Sequence, residues 1–385
     1  MSGARVLHLV NGEYFGGSAR VLMNYLTSDR RRSDVAVGVM FEGELRDRIA
    51  AAGIRNELIG MRSRADIGAA RQVIHMARHF GADVIHTHQV RNTLLGRLAG
   101  MRLSVPVVTH VHSPASREST QRLRNLTTSA VDRLLARRSA RFIAVSASLA
   151  ADLVRIGVRR DRIRIVPNGV DVPVPMSAQE RTSARASLDG SDAEFIVGMV
   201  ANFRPRKGTE VLIDAVGALV GAHPRLRLVL VGEPFKEQGR DYGAILRTHA
   251  ARVGLRGKVH FTGFRQDAGR LIAGLDLFVL PSLFGEGMPM VVLEAMAAGI
   301  PVVSTPVEGI AEVIRHGENG SLVPSGEVDG LARAIAELES NPALAMRLGA
   351  AGRETVIEKY TTDRMVDGIE DVYSEVASGW QRRAR

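Results

Sequence analysis

The chain has no cysteine among its 385 residues. Disulfides and thiolate metal sites are excluded, and the composition suits a cytoplasmic enzyme. Aromatic residues make up only 4% of the chain. Bases would find few rings to stack on, which counts against a binder of single-stranded nucleic acid, and no nucleic-acid partner is expected. No long uninterrupted apolar run occurs, so no segment is expected to span a bilayer. The short apolar stretch in Met1–Val10 has no cleavage-type segment after it and reads as a first core strand rather than a signal peptide.

What is present is length and positive charge. A chain of this size exceeds one ordinary hydrophobic core and fits two domains. Lys and Arg total 51 against 41 acidic residues, a formal net charge of +10. That balance favours an anionic partner such as a phosphorylated substrate or a membrane surface, and is equally compatible with an arginine-rich composition bias.

Apolar runs suited to buried parallel strands occur at Val6–Val10, Val35–Phe41, Asp83–His86, Val105–His110, Phe142–Val145 and Ile163–Val166. Helical spacing lies between most of them, as in Ala19–Leu26, Ile67–Phe80 and Ala147–Ile156. The second half repeats the rhythm. Strands are predicted at Phe195–Ala201, Leu226–Val231, Val259–Thr262, Leu277–Leu280, Val302–Ser304 and Gly320–Val323. Helices are predicted at Thr209–Gly221, Gln238–Val253, Met288–Ala298 and Gly326–Glu339. The alternation predicts an α/β protein with two Rossmann-like, doubly wound domains. Prolines and an Asn-Gly turn within Pro167–Pro175 place the boundary there, giving domains 1–170 and 176–360. An amphipathic helix over about 361–385 is expected to pack back on the first domain. Ligands of open α/β sheets bind at strand C-terminal ends, so a cleft faced by both domains is the expected site.

The densest motif begins at Asp276. Strand Leu277–Leu280 runs into Pro281-Ser282-Leu283-Phe284-Gly285-Glu286-Gly287-Met288-Pro289-Met290, and a helix then carries Glu294. Pro289 suits the first helical turn. Amides at Gly287, Met288 and Met290, with the helix dipole, suit a diphosphate. Glu286 precedes the turn and Glu294 lies roughly two turns beyond it, so one carboxylate would face the cleft mouth and the other lie deeper, within reach of a vicinal diol such as ribose; a sugar at each is chemically reasonable. On an arbitrary helix the same pair would be a dipole-favouring residue and a surface residue.

A second cluster, Asn202-Phe203-Arg204-Pro205-Arg206-Lys207-Gly208, puts three cations after a strand and before a helix. Two diphosphate charges can be neutralised there by a guanidinium fork and an ammonium. The bland alternative is a solvated basic turn. The loop Asn11–Ser18 carries Gly16-Gly17, where backbone amides can approach a ligand. It is not G-x-G-x-x-G, and no G-x-x-x-x-G-K-[ST] occurs, which weakens dinucleotide and P-loop readings. Histidines pair at two strand ends, His86/His88 and His110/His112. His-x-His on a strand puts both rings on one face, but no acidic residue stands close, and no metal is assigned. Arginines crowd Arg117–Arg141 without keeping to one helical face, so peripheral contact with an anionic membrane gains little from them.

The passage Asp276–Ser304 resembles the signature region of the retaining family-four glycosyltransferases (glycosyl transferases group 1) of the GT-B fold, and the likeness extends over nearly the full chain. It implies that Glu286 contacts the donor sugar near the reacting carbon and that Glu294 holds ribose hydroxyls. Lys207 falls on the family's diphosphate lysine. The family's arginine often stands where this chain has Asn202, so Arg204 is assigned that role with Arg206 in reserve. The Gly16-Gly17 loop resembles the glycine loop that approaches donor phosphates. His112 resembles the first-domain histidine at the donor sugar, and His88 is placed on the acceptor side. The implied activity is transfer of a sugar from a nucleoside-diphosphate sugar to a hydroxyl on a sugar, glycolipid or lipid-linked saccharide, with retention and with no cofactor or metal. The implied setting is polysaccharide or glycoconjugate synthesis, in the cytoplasm or at the inner membrane face. Rival readings are a nucleotide-sugar epimerase and a catalytically silent nucleotide-sugar-binding subunit.

Overall fold

The computed structural model describes residues 3–13, 15–61, 66, 68–113, 139–191, 194–234, 236–237 and 240–384. Most of the arginine-rich stretch 117–141 lies outside the described residues. The chain divides into two units, Met1–Gly169 with Thr362–Arg385, and Val170–Thr361. Among the described residues no helix is long and apolar enough to cross a membrane.

The N-terminal unit is built on strands β1 (Arg5–Val10), β2 (Asp34–Val39), β3 (Arg55–Leu58), β4 (Val84–Thr87), β5 (Val107–Val111), β6 (Arg141–Ala144) and β7 (Ile163–Ile165). They form one sheet in the order β3-β2-β1-β4-β5-β6-β7, parallel throughout. Covered strands read as apolar runs because both faces exclude water. On one face Leu7, Leu9 and Ile85 join Val73, Met76 and Phe80 of helix Ala69–Phe80 and Leu95 of helix Val90–Leu103 in a single core. The other face is covered by helices Gly17–Thr27 and Thr362–Ala384, where His8 meets the rings of Tyr25 and Tyr373.

The last helix is tied into this unit by a buried carboxylate. Glu370 accepts hydrogen bonds from the Tyr25 hydroxyl (2.7 Å), the Ser33 hydroxyl (2.8 Å) and the Arg32 and Ser33 amides (both 3.1 Å). Each partner is a donor, so the site is matched to a charged acceptor. Ion pairs Arg30–Asp367 and Arg164–Glu375 flank it on the surface.

The second unit carries β8 (Phe195–Val200), β9 (Leu226–Val231), a small hairpin of β10 (Lys236–Glu237) and β11 (Arg240–Asp241), then β12 (Val259–Gly263), β13 (Leu277–Leu280), β14 (Val302–Ser304) and β15 (Ser321–Leu322). Its main sheet runs β12-β9-β8-β13-β14-β15. Asp276, just ahead of β13, accepts from the Ile196 amide of β8 (2.8 Å) and from Arg185 and Arg181 (2.7 Å each). This contact aligns the starts of β8 and β13, and therefore their ends.

Three local expectations are corrected. Strand β3 was not visible as an apolar run, because at the sheet edge Arg55-Asn56-Glu57-Leu58 is largely exposed. The helix expected from Gln238 begins at Tyr242, where Asp241 caps the Gly243 and Ala244 amides. The helix expected from Met288 begins at Met290. Pro289, with φ −71° and ψ 120°, is the cap residue and lies outside the first helical turn.

The Glu370 contacts generate a test. Glu370→Ala leaves several buried donors without an acceptor and should lower unfolding stability by about 2–4 kcal/mol. Urea titration followed by circular dichroism measures it; a loss under about 0.5 kcal/mol would show that the carboxylate does not anchor the helix.

Candidate functional site

In the second unit the strand order reverses between β8 and β13, and open α/β sheets bind ligands beyond the carboxyl ends of such neighbours. The loop after β8 tightens into a short 3-10 turn, Pro205–Lys207, closed by Gly208 at φ 68°. The loop after β13 carries Glu286. The two loops are joined by a hydrogen bond from the Leu283 amide to the Arg206 carbonyl (2.7 Å). Residues 79 positions apart thereby meet: Lys207 Nζ donates to Glu286 Oε1.

That same oxygen also accepts from the Ser282 hydroxyl (2.7 Å) and from Arg206 Nη1 (3.4 Å). Arg206 Nη1 donates in addition to the Gly285 carbonyl at 2.9 Å. From the other side Glu308 Oε2 accepts from the Gly285 and Glu286 amides at 2.9 and 3.1 Å. Glu286 is therefore fixed in both backbone and side chain. Burial opposes its charge, but the Lys207 ammonium, the Arg206 guanidinium and the hydrogen bonds from Lys207 and Ser282 outweigh burial and hold the carboxyl below its ordinary range. Burial pushes the Lys207 ammonium down from its ordinary value, with Glu286 opposing and Arg206 and Arg204 adding to the shift.

The guanidinium beside Glu286 belongs to Arg206. Arg204, assigned the leading role from sequence, caps the turn, its carbonyl accepting from the Lys207 amide at 2.8 Å. Gly287, Met288 and Met290 are buried beside Glu286. Glu294 lies half-buried in helix Met290–Ala297. Because residues 287–289 are not helical, Glu294 stands about one helical turn beyond the helix start rather than two beyond Glu286.

The N-terminal unit has its own strand-order reversal, between β1 and β4. The loops there are joined by the Asn11 amide donating to Gln89 Oε1 at 3.2 Å. Gly16 caps helix Gly17–Thr27 without a side-chain bond, and among the described residues an added Cβ at Gly16 would meet nothing within 4 Å. Its neighbourhood is open backbone at a helix N-terminus.

His88 and His112 are hydrogen-bonded, Nδ1 to Nε2, at 3.1 Å. They belong to a stack of five rings that includes His110, His86 and, from β1, His8. Burial lowers all five: His8 to about 3, His112 to about 4, and the other three well below the ordinary histidine value. They are neutral at physiological pH.

Sequence reasoning missed Ser282, Glu308 and His8. Ser282 stood inside the motif, yet its role depends on the loop curling back four residues. Glu308 had no signal, because only the β13–β14 adjacency brings it to Gly285. His8 was legible in principle: it occupies an alternate position of an otherwise apolar first strand.

Two family descriptions match most of the chain. "Glycosyltransferase Family 4" matches residues 15–173 and "Glycosyl transferases group 1" matches residues 180–355. Among curated relatives, D-inositol 3-phosphate glycosyltransferase of Streptomyces griseus is 31% identical over 329 residues, covering 79% of this chain and 69% of that protein. N-acetyl-alpha-D-glucosaminyl L-malate synthase of Bacillus anthracis is 27% identical, covering 81% and 79%. Among solved structures, Anabaena Alr3699/HepE in complex with UDP and glucose superposes with a TM-score of 0.88 at 25% identity, covering 97% of this chain and 100% of that one.

The tight Lys207–Gly208 turn generates a prediction. In Gly208→Ala the new Cβ would lie 2.0 Å from the Pro281 carbonyl oxygen in a left-handed backbone conformation. Stability should fall by about 2 kcal/mol or more, read by urea unfolding; an unchanged midpoint would mean the turn is not built as described.

With β8 and β13 delivering a buried Lys–Glu pair to a strand-order reversal, and with matches spanning both halves, the chain belongs to the family-four glycosyltransferases of the GT-B fold and is a glycosyltransferase.

Proposed function

We propose that the enzyme transfers a glycosyl group from a nucleoside-diphosphate sugar to a hydroxyl acceptor with retention of configuration, the second unit holding the donor. The observation that carries this reading is the Lys207–Arg206–Glu286 cluster at the ends of β8 and β13. Relatives of the chain include a structure of Anabaena Alr3699/HepE with UDP-glucose, which supports a nucleotide-sugar donor.

In the proposed reaction the anomeric C–O bond to the diphosphate breaks and a new C–O bond to the acceptor forms on the same face. The acceptor's hydroxyl proton passes to the departing phosphate oxygen. Negative charge grows on the diphosphate, where Lys207, Arg206 and Arg204 supply fixed positive charge without a catalytic metal. Glu286, kept ionised by its partners, faces the positive oxocarbenium-like sugar and orients its hydroxyls. Lys207 then exchanges part of its interaction with Glu286 for the leaving phosphate, so the cluster loses no charge balance. Glu294 takes the ribose hydroxyls, and Gly16 and Gly17 offer backbone amides to the phosphates. His112 contacts the donor sugar and His88 lines the acceptor side. The acceptor is a hydroxyl of a sugar, glycolipid or lipid-linked saccharide, in cell-surface polysaccharide or glycoconjugate synthesis. Peripheral contact with an anionic cytoplasmic membrane face fits the net charge of +10.

A panel of UDP-, GDP- and ADP-sugars with hydroxyl acceptors tests the reading. Acceptor-dependent release of free nucleotide supports transfer. Isomerisation of the donor sugar alone, or binding without turnover, overturns it in favour of an epimerase or a silent binding subunit. Lys207→Ala should lower kcat at least about tenfold through lost leaving-group stabilisation. Glu294→Ala should weaken nucleotide binding more than it slows the chemical step, and equal donor affinity by calorimetry would refute the ribose role.

A further inference from the structure

Three of the buried histidines share a geometry that packing alone does not require. His8, His86 and His88 come from β1 and from the end of β4, with His8 directly opposite His86 in the parallel register. One ring nitrogen from each lies within 4.8 Å of the others. All three side chains are buried, and burial keeps the rings neutral, with lone pairs available to a ligand.

The other nitrogen of each ring is already held. His86 Nδ1 is hydrogen-bonded to the Tyr373 hydroxyl, His8 Nε2 lies 3.4 Å from the same hydroxyl, and His88 Nδ1 lies 3.1 Å from His112 Nε2. The Tyr373 ring packs edge-on against Tyr25 at 6.1 Å between centroids, and the Tyr25 hydroxyl donates to Glu370 at 2.7 Å. The Tyr373 oxygen is placed to accept from the N–H of His8 and of His86. With those protons on the tyrosine side, His8 Nδ1 and His86 Nε2 carry lone pairs.

His8 Nδ1 faces His88 Nε2 at 3.0 Å. A proton on His88 Nε2 satisfies that one contact and leaves His86 Nε2, which is buried without a hydrogen-bond partner among the described residues. A cation satisfies all three at once. His88 then carries its proton on Nδ1 and donates it to His112. Ligating imidazoles whose second nitrogen is oriented by a neighbour are the usual construction of a metal site.

We propose that His8, His86 and His88 bind one borderline divalent transition-metal ion, Zn²⁺ foremost, within the N-terminal unit. Three imidazoles and no carboxylate select zinc, cobalt, nickel or copper over magnesium or calcium. Tetrahedral ligation at about 2.0–2.1 Å brings nitrogens to roughly 3.3 Å from one another, so small side-chain adjustments within the present cluster suffice. A second trio, His88 with His110 and His112, also lies within 4.8 Å. It shares His88, and among the described residues neither nitrogen of His110 has a hydrogen-bond partner to set its tautomer, so the trio tied to Tyr373 is preferred.

The test uses the full chain, expressed without a histidine tag in zinc-supplemented medium and assayed for bound metal by inductively coupled plasma mass spectrometry. About one zinc per chain is expected, and Co²⁺ in its place should give the visible d–d absorption of a four-coordinate site. Tyr373→Phe keeps the packing but removes the hydroxyl acceptor, and should weaken zinc affinity about 10–100-fold. His86→Gln should abolish binding. The exposed pair His75/His79, with rings 6.2 Å apart, is the obvious adventitious site. Retention of zinc in the His75→Ala/His79→Ala double variant supports the buried trio, and loss of zinc there overturns it. Wild-type protein with less than about a tenth of an equivalent of zinc, and no cobalt spectrum, also overturns it.

Discussion

A carboxylate out of reach of water keeps its charge only if other groups replace the water, and the second unit is arranged around that constraint. Glu286 has three donors on one oxygen, from Ser282, Arg206 and Lys207. Each donor makes its own demand on the chain. Lys207 needs the turn closed by Gly208, and Gly208 needs a close approach to Pro281 that only glycine allows. Arg206 needs the Gly285 carbonyl, and Gly285 is in turn held by Glu308. Asp276, at the opposite end of the strands, keeps β8 and β13 abreast through the Ile196 amide and two arginines. The cost of burying one charge is thus met by a lattice of contacts that also holds the site rigid before any ligand arrives.

The N-terminal unit solves a related problem differently. Its sheet face under helix Thr362–Ala384 is polar for a protein interior, with strand histidines meeting tyrosines from the covering helices. Glu370 accepts from Tyr25 and Ser33, and the Tyr373 hydroxyl is hydrogen-bonded to His86. A segment nearly two hundred residues beyond the rest of the unit supplies both Tyr373 and Glu370, so the helix orients the polar interior as well as covering it.

The fold was largely legible because parallel strands covered on both faces must be apolar runs: of the twelve expected strand segments, Leu226–Val231, Leu277–Leu280 and Val302–Ser304 needed no change and the other nine a shift of one or two residues at their ends. The edge strand β3 escaped for the same reason in reverse: an edge need not be apolar. Glu286 and Lys207, which the structure brings together, were readable from their spacing and flanking residues. That Arg206 stands beside Glu286 was not, because it gets there only through the pairing of the two loops, which sequence does not mark. Pro289 illustrates a similar limit. Its fixed φ suits both a first helical residue and a cap, and ψ alone separates the two.

Sequence alone therefore determined the chemistry on offer: a carboxylate pair, a run of cations, glycine-rich turns and paired histidines, each at a strand end. Those depend on local rules, such as strand alternation and turn composition, that act over a few residues. Tertiary structure decided which of these groups meet. Strand order put Lys207 against Glu286, brought Glu308 under their loop and set His8 beside His86 and Tyr373. Such pairings join residues 79, 22, 78 and 287 positions apart, distances over which local preference carries no information and only packing of the whole sheet does.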